Sequence, residues 1–242
     1  MFNYKEFLNE KKYTHKKLSS RFWNNYQFDQ KVRKKLLKIS DDFFKSLEID
    51  LPIEEIKLTG SLANYNYTNN SDLDIHIIID FDKYKGNTKV LNEMLKSKGF
   101  IWNLKHNIKI KGADVELYVQ PKTEKHISTG LFSLLNNEWI KKPKYTDPDV
   151  DEDDVQSKYD KWVSDINNLS KSIKKKNIDI KDLYKKTEKM KNKLRKFRKK
   201  GLEKGVGEFS VENVAYKKLR NDEYIDELYD LSYKLYDMIF SQ

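Results

Sequence analysis

Residues 71–79 read Ser-Asp-Leu-Asp-Ile-His-Ile-Ile-Ile, and this stretch constrains the fold more than any other part of the chain. Successive side chains of a β-strand point to opposite faces of the sheet. One face of this predicted strand is apolar and is formed by Leu73, Ile75, Ile77 and Ile79. The other face begins with Asp72 and Asp74, whose carboxylates point in the same direction. The pattern predicts a strand that packs on a core through one face and presents two acidic groups on the other.

A second apolar strand is predicted to end in the turn Gly60-Ser61, and nine residues separate this turn from Ser71. Glycine lets the backbone N–H groups of such a turn come close to a phosphate. The paired carboxylates of Asp72 and Asp74 suit a hard divalent cation that carries a nucleoside triphosphate. Together they indicate a metal-dependent nucleotidyl-transfer site, although an ordinary strand and turn contain the same residue types.

The chain has 242 residues and no cysteine, which limits both its architecture and its chemistry. This length accommodates one large domain or two modest ones. Without thiols the chain forms neither disulfides nor thiolate metal sites, so oxygen or imidazole must hold any metal, which favours Mg²⁺ or Mn²⁺. No long uninterrupted apolar run is present. We therefore expect neither a signal peptide nor a membrane span, and predict a cytoplasmic protein.

The period of the hydrophobic pattern changes along the chain. A helix is predicted over 29–48 with Asp29 as its N-cap, and two shorter amphipathic pieces are expected before it. Between Ile53 and Gln120 the pattern becomes that of a sheet with one helix. There we predict strands at 54–59, 72–80, 104–110 and 113–120 and a helix at 87–98. Beyond a proline-containing linker, helices are predicted at 153–176, 179–200 and 210–239.

These patterns predict an α+β fold, in which a small mixed β-sheet core with flanking helices precedes a C-terminal helical bundle. We expect N-terminal helices within 1–50 to pack on a core of 51–146, and residues 147–242 to form the helical domain. The acidic run 147–154 lacks the glycine and the closing glutamate of a calcium-binding EF-hand loop. We interpret it as the start of a helix, where negative charge suits the helix dipole.

Positive charge is concentrated in residues 171–205, which contain sixteen lysine or arginine residues and four acidic ones. The net charge of the whole chain is +10, so the remainder is slightly acidic. Apolar residues recur every three or four positions, which predicts an amphipathic helix with its lysines pointing outward. Such a helix is either a solvated face or a nucleic-acid contact. The candidate nucleic-acid-binding residues are Lys193, Arg195, Lys196 and Arg198.

The turn Gly60-Ser61 followed by Asp72-Leu73-Asp74 resembles the signature of the DNA polymerase β-like nucleotidyltransferase superfamily. More weakly, segments such as 114–120 and 207–220 resemble uncharacterised nucleotidyltransferase-like proteins of bacteriophages. The superfamily pattern includes a third carboxylate on a later strand. Asp114 and Glu116 both lie on the polar face of the strand predicted there. Glu116 is preferred, because its apolar neighbours resemble the form found in antibiotic nucleotidyltransferases.

The resemblance implies transfer of a nucleoside monophosphate from an NTP to a hydroxyl group, with release of pyrophosphate and with two Mg²⁺ or Mn²⁺ ions. Asp72 and Asp74 would bind the ion that carries the triphosphate, and Glu116 or Asp114 would complete the site for a second ion. The residues implied to bind the nucleotide are Gly60, Ser61, Ser128, Thr129, Asn213, Lys217 and Arg220.

The sequence leaves the acceptor open. An RNA or DNA end, such as that of a tRNA, would give the basic helix 179–200 a role. A small molecule, a protein side chain or a second nucleotide, as in a second-messenger synthase, would not. The alternative from another class is a catalytically inert module that binds nucleic acid or acts like an antitoxin. His76 is a weaker candidate as a metal ligand, and its alternative role is that of a hydrogen-bonded polar neighbour. Tyr65 and Tyr67 are weaker candidates for stacking on a base or acceptor, with packing as their alternative role. Periodicity alone does not set the oligomeric state.

Overall fold

The computed structural model describes residues 15–126, 128–145, 150–174, 178–203 and 207–241. The chain divides into two compact units, Met1–Thr146 and Asp147–Gln242. The first contains a mixed β-sheet with flanking helices, and the second is helical. The predicted α+β class is therefore confirmed.

Among the described residues, strands and helices are mixed along the first unit, and the second unit is helical. The strands are β1 (Trp23–Asn24), β2 (Gln27–Phe28), β3 (Ile53–Thr59), β4 (Leu73–Ile79), β5 (Lys109–Ile110), β6 (Ala113–Pro121), β7 (Leu131–Ser133) and β8 (Glu138–Lys141). The α-helices are α1 (Gln30–Ser46), α2 (Thr88–Lys105), α3 (Glu152–Ser172), α4 (Ile180–Leu202), α5 (Val211–Asn221) and α6 (Tyr224–Phe240).

Six of the strands form one sheet in the order β5-β6-β4-β3-β7-β8. β4 and β6 run parallel, whereas the other neighbouring pairs are antiparallel. In this register Asp74 on β4 lies beside Thr59 on β3 and beside Glu116 on β6. The parallel pair therefore places two acidic residues of distant sequence position at the same height of the sheet.

The apolar face of the sheet closes the core of the first unit. Leu73, Ile75 and Ile77 have no solvent exposure, as the alternating pattern predicts. Helix α1 contributes its own buried stripe to the same cluster. This helix begins at Asp29, whose side chain accepts hydrogen bonds from the backbone N–H groups of Lys31 and Val32. The predicted N-cap is therefore confirmed.

Helix α2 covers the outer edge of β6. Asn103 of α2 donates its Nδ2 hydrogen to the carbonyl oxygen of Leu117 at 3.1 Å and accepts from the N–H of Leu117 at 3.0 Å. Beyond the short β5, these are backbone groups that an edge strand would otherwise present to solvent. A Cβ at Gly99 would lie at ordinary van der Waals distance, 3.5 Å, from the same carbonyl oxygen.

The second unit is built from α3 to α6 around its own apolar cluster. Side chains of Asp151, Asp179 and Ser210 cap the first three of these helices by accepting from backbone N–H groups. Acidic residues 152–154 occupy the first turn of α3, so the end of the acidic run is the helix start that was predicted. Residues 146–149 lie outside the described part of the chain.

Three predicted elements were wrong in extent. Helix α2 continues through Gly99 to Lys105, where Asn103 hydrogen-bonds to Leu117 of β6, and the strand predicted at 104–110 is reduced to β5. The single helix predicted at 210–239 is broken between α5 and α6, where Glu223 has a positive φ of 64°. A helix cannot continue through that conformation.

Two pairings were missed by the sequence pattern. Residues 15–28 contain the β1–β2 hairpin rather than the amphipathic pieces expected before residue 29, and residues 1–14 lie outside the described part. The β7–β8 hairpin was not predicted either, because its strands are only three and four residues long. Across the described residues, no helix combines the length and the apolar character needed to cross a membrane.

Candidate nucleotide-binding site on the polar face of the sheet

Three carboxylates share the polar face of the β4–β6 pair. Asp74 and Glu116 are register partners on neighbouring parallel strands, and Asp72 lies two residues before Asp74. All three carboxylates are half-buried, whereas their strand neighbours Leu73, Val115 and Leu117 are buried in the core. We call Asp72, Asp74 and Glu116 the acidic face. It unites the predicted aspartate pair with the preferred third carboxylate.

The turn after β3 lies directly against this face. Gly60 has φ 74° and ψ −162°, a combination that is essentially restricted to glycine. A Cβ at this position would lie 1.9 Å from Oδ2 of Asp74, so a larger residue would have to displace that carboxylate. Glycine is therefore required both for the backbone conformation and for the approach of the Asp74 carboxylate to the turn.

Ser61 begins a 3₁₀ turn, Ser61–Ala63, that follows Gly60. Its hydroxyl donates to Oγ of Ser71 at 2.8 Å, and the same Ser71 oxygen accepts from the N–H of Thr68 at 2.8 Å. These bonds connect the turn to the residue that immediately precedes Asp72. The Gly-Ser turn and the aspartate strand thus form one hydrogen-bonded unit.

Tyr118 is a residue of this site that the sequence analysis missed. It lies two positions after Glu116 on the same face of β6, and its hydroxyl donates to Oε2 of Glu116. Burial raises the pKa of the Tyr118 hydroxyl well above its usual range, and the Glu116 hydrogen bond and the charges of Glu116, Asp74 and Asp72 raise it further. The three carboxylates therefore act together on one phenol. Strand alternation from Glu116 was the signal that could have found it.

The polar face continues beyond the carboxylates into two histidines. Nδ1 of His76 lies 2.8 Å from Oε1 of Gln120, and its ring packs 5.0 Å from that of Tyr118 and 5.4 Å from that of His126. Burial lowers the pKa of His76, opposed in part by the Gln120 contact. Burial, and then the charge of Lys57, lower the pKa of His126 to about 4. His76 has a polar neighbour here, as its alternative role required.

Asp114, the other candidate for the third carboxylate, has a different surrounding. It forms an ion pair of 3.0 Å with Lys109 of β5, its register partner at the edge of the sheet. Its side chain is 46% exposed. Glu116 therefore has the position opposite Asp74, and Asp114 is held toward β5.

Ser128 and Thr129 lie in a turn that packs against the Gly-Ser turn. Thr129 Oγ1 accepts from Nδ2 of Asn64 at 2.5 Å, and Ser128 Oγ donates to the carbonyl oxygen of Gly130 at 3.0 Å. A Cβ at Gly130 would lie 1.9 Å from the carbonyl oxygen of Ala63, so the two turns are in direct contact. The structure thus places both residues beside the predicted phosphate turn, where their hydroxyls support the loops.

Tyr65 and Tyr67 pack, as the alternative for each residue stated. Tyr65 is 5% exposed, and its hydroxyl lies 2.7 Å from that of Tyr26. The ring of Tyr67 stacks on His15 at 4.0 Å. Both rings are therefore occupied by neighbours within the first unit.

The remaining predicted nucleotide contacts lie on α5 in the second unit. Their spacing of four and three residues places them on one side of the helix. Asn213 is buried, Lys217 is half-buried and Arg220 is exposed. A Cβ at Gly201 of α4 would lie 3.2 Å from the backbone nitrogen of Asn213, so this end of α5 packs closely on α4. Their contact with a nucleotide stays a prediction.

The basic helix is present as α4, but the prediction that its lysines all point outward was wrong. Lys191 is 8% exposed, pairs with Glu188 at 2.6 Å and lies 4.5 Å over the ring of Tyr229. Arg198 is half-buried over the ring of Tyr216 at 4.6 Å. Both cations are held by aromatic neighbours that only the folded bundle supplies.

The other three basic candidates on this helix face solvent: Lys193, Arg195 and Lys196. Arg195 also donates to Oδ1 of Asn192 at 2.9 Å. Of the four predicted nucleic-acid contacts, Arg198 is therefore the one that the fold engages in packing.

The donor set of the acidic face fits a hard divalent cation, although the side chains do not converge on a common point. Carboxylate oxygens are the ligands that Mg²⁺ and Mn²⁺ prefer, and backbone register holds Asp74 and Glu116 at the same level. Within the described residues, however, no three acidic or histidine side chains form a group that could hold a metal ion. The Tyr118 hydroxyl donates to Glu116, so one oxygen of this carboxylate already has a partner within the protein.

Comparisons of this chain with known protein families, with curated proteins and with solved structures found no match. We therefore base the function on the geometry of the acidic face and the Gly-Ser turn.

Proposed function

We propose that the protein is a metal-dependent nucleotidyltransferase that moves a nucleoside monophosphate from an NTP to a hydroxyl acceptor and releases pyrophosphate. One observation carries the proposal. Asp74 is the register partner of Glu116 on a parallel strand and lies two residues after Asp72. Its carboxylate contacts the Gly60 turn, where any added Cβ would displace it. The resemblance of this motif to the polymerase β-like superfamily supports the same reaction class.

In this proposal the chain binds the triphosphate between the turn and the carboxylates. Backbone N–H groups at Gly60 and the hydroxyl of Ser61 contact the β- or γ-phosphate. Asp72 and Asp74 would hold one divalent ion, and Glu116 would help to hold a second. Bound metal at this site would supply positive charge for the phosphates and would lower the pKa of the attacking hydroxyl. Glu116 accepts the proton of that hydroxyl as a general base.

The atoms balance without a further reagent. A new bond joins the acceptor oxygen to the α-phosphorus, the bond from that phosphorus to the bridging oxygen breaks, and pyrophosphate leaves. We further propose an RNA end as the acceptor, and the cytoplasm, including a host cytoplasm if a phage encodes the chain, as the compartment that supplies NTP and Mg²⁺.

The test is label transfer from each α-labelled NTP, with Mg²⁺ and with or without total cellular RNA. We expect wild-type protein to label RNA and the Asp74→Asn variant to lose at least about 100-fold in rate, because a charged ligand is removed. Asp82→Asn is the matched control, since the Asp82 side chain is 80% exposed and lies outside the acidic face. Its rate should equal that of the wild type.

Two results would overturn the proposal. One is the absence of transfer from every NTP to RNA or to a soluble nucleotide product. The other is equal transfer by wild type and Asp74→Asn. A labelled soluble nucleotide would instead retain the reaction class and make the protein a second-messenger synthase.

A second candidate function is a catalytically inert module that binds nucleic acid or a protein partner. The hydrogen bond from Tyr118 to Glu116 favours it, because this bond occupies the third carboxylate. In that case Asp74→Asn would leave binding unchanged, and neither protein would turn over.

A further inference from the structure

A groove of about 550 Å³ lies between α3 and α4 of the second unit. Its apolar surface comes from Trp162 and Leu169 on α3 and from Met190 and Phe197 on α4. Lysines from both helices surround this surface: Lys158, Lys161, Lys186, Lys189 and Lys193. We call it the lysine groove. Among the described residues that line it, Asp165 alone is acidic.

The ion pairs of these lysines leave the groove positive. Lys158 pairs with Asp154, and Lys186 pairs with Asp182 at 2.7 Å, in both cases one turn away on the same helix. Exposed pairs of this kind are weak and yield to stronger partners. In the parts of the chain that the structure describes, Lys161, Lys189 and Lys193 form no ion pair. A polyanion would therefore meet several cations that are not neutralised.

The groove also offers an aromatic surface beside these cations. Trp162 is half-buried, and its ring centroid lies 5.6 Å from that of Phe197 at an interplanar angle of 60°. Phe197 thus packs against the indole, and both rings contribute to the wall of the groove. Positively charged grooves with an aromatic platform bind single-stranded nucleic acid, because phosphates meet the cations and a base stacks on the ring.

We propose that the lysine groove binds single-stranded RNA, with the backbone along Lys161, Lys189 and Lys193 and a base stacked on Trp162. The inference deepens the proposed function, on which it rests, because it names the acceptor and the surface that holds it. It also replaces the contact face expected from the sequence. Of the four basic residues predicted there, only Lys193 lines the groove.

RNA fits this groove better than an acidic protein segment does. An acidic peptide would use the lysines but would leave the indole without a partner, whereas every nucleotide brings a flat base together with a phosphate. RNA ends also carry the hydroxyls that the proposed transfer requires.

The test measures binding of a fluorescein-labelled 12-nucleotide RNA to the full-length protein by anisotropy, at 0.1 M salt with EDTA and without NTP. Each lysine that releases counterions from single-stranded RNA contributes about 0.7 to the slope of log K against log salt. The triple variant Lys161→Gln/Lys189→Gln/Lys193→Gln should therefore bind about 100-fold more weakly and show a slope about 2 smaller.

The matched control removes three cations of α4 that do not line the groove. They are Lys181, Lys185 and Lys199, which are exposed. Their triple substitution by glutamine should change the affinity by less than about threefold, since only screened long-range attraction is lost. Equal weakening by both triple variants would refute the groove and favour diffuse attraction to α4.

Tryptophan fluorescence tests the stacking step. The chain has four tryptophans, and Trp162 is the one in the second unit. RNA should quench the emission of the wild type, and Trp162→Phe should abolish that quenching. Quenching that persists in Trp162→Phe would refute the stacking, and displacement of the RNA by polyglutamate at equal charge concentration would favour an acidic protein partner instead.

Binding and transfer can fail separately in this design. The anisotropy assay contains neither NTP nor divalent ion, and Asp74→Asn should bind RNA as the wild type does. If the groove variants bind RNA normally while label transfer remains intact, the groove proposal is wrong and the proposed function stands. If label transfer is absent but the groove variants lose RNA binding, the proposed function is wrong and the groove proposal stands.

Discussion

A methyl group added at Gly60 would test whether the glycine turn positions Asp74. The Cβ of Gly60→Ala would lie 1.9 Å from Oδ2 of Asp74, and real contacts of this kind are not shorter than 3.0 Å. The carboxylate must therefore retreat by more than 1 Å. An alanine must also adopt φ 74° and ψ −162°, which costs about 1–3 kcal/mol. Displacing the Asp74 side chain from its rotamer adds about 0.5–1.5 kcal/mol.

The expected loss in the free energy of unfolding is therefore about 1.5–4.5 kcal/mol. Gly112→Ala is the matched control, because Gly112 has φ 80° and the nearest neighbour of its Cβ, Nη2 of Arg21, is 3.4 Å away. It has the positive φ without the displaced carboxylate. We expect it to lose about 1–3 kcal/mol and to keep full nucleotidyl transfer.

Urea unfolding followed by tryptophan fluorescence gives the two stabilities, and label transfer gives the two rates. Moving a catalytic carboxylate by about 1 Å should lower the rate of Gly60→Ala by about 100-fold. If Gly60→Ala is no less stable than Gly112→Ala and transfers label at the wild-type rate, the turn does not position Asp74. The stability comparison holds even without turnover.

Two further perturbations address the polar face. Tyr118→Phe removes the hydrogen bond to Glu116. Because a typical hydrogen bond contributes about 1 kcal/mol, the variant should bind Mn²⁺ about fivefold more tightly in calorimetry. Unchanged or weaker binding would contradict competition between the phenol and a metal for Glu116. Because the pKa of His126 is lowered from 6.5 to about 4 in the folded protein, the folded state favours the neutral imidazole. The free energy of unfolding should thus fall as the pH drops from about 6.5 toward 4. Urea titrations at pH 7 and pH 4.5 measure this fall, which His126→Gln should reduce. An identical fall in the variant would show that other groups cause it.

Local signals in the sequence predicted the elements that local physics determines. Asp29 caps α1 because its side chain reaches N–H groups two and three residues away, a contact that needs no tertiary context. The alternation over 71–79 likewise contains both the core face and the acidic face of β4. The acidic start of α3 and the amphipathic period of α4 are likewise features that the local sequence predicts.

Interactions between distant residues decided what the sequence pattern missed. The part of α2 beyond Gly99 is held by hydrogen bonds from Asn103 to the backbone of Leu117, fourteen residues later. Lys191 is buried because Glu188, Ser232 and Tyr229 meet it inside the bundle. Periodicity places such a residue on a helix face but does not show what that face will contact.

The candidate site divides in the same way. Asp72 and Asp74 follow from strand alternation, but the choice of Glu116 over Asp114 depends on the parallel register with β4 and on the ion pair with Lys109. Tyr118 shares the face of Glu116 by alternation. Its hydrogen bond to that carboxylate depends on side-chain conformations that spacing does not specify.

The amide of Asn103 has a consequence for the opposite side of the sheet. It hydrogen-bonds to both the N–H and the carbonyl oxygen of Leu117, the residue that directly follows Glu116. If β6 slid by one residue, Glu116 would turn into the core and Leu117 would turn outward. The uncharged side chain of Asn103 thus fixes the register of β6. In this way α2, which carries none of the carboxylates, keeps Glu116 beside Asp74.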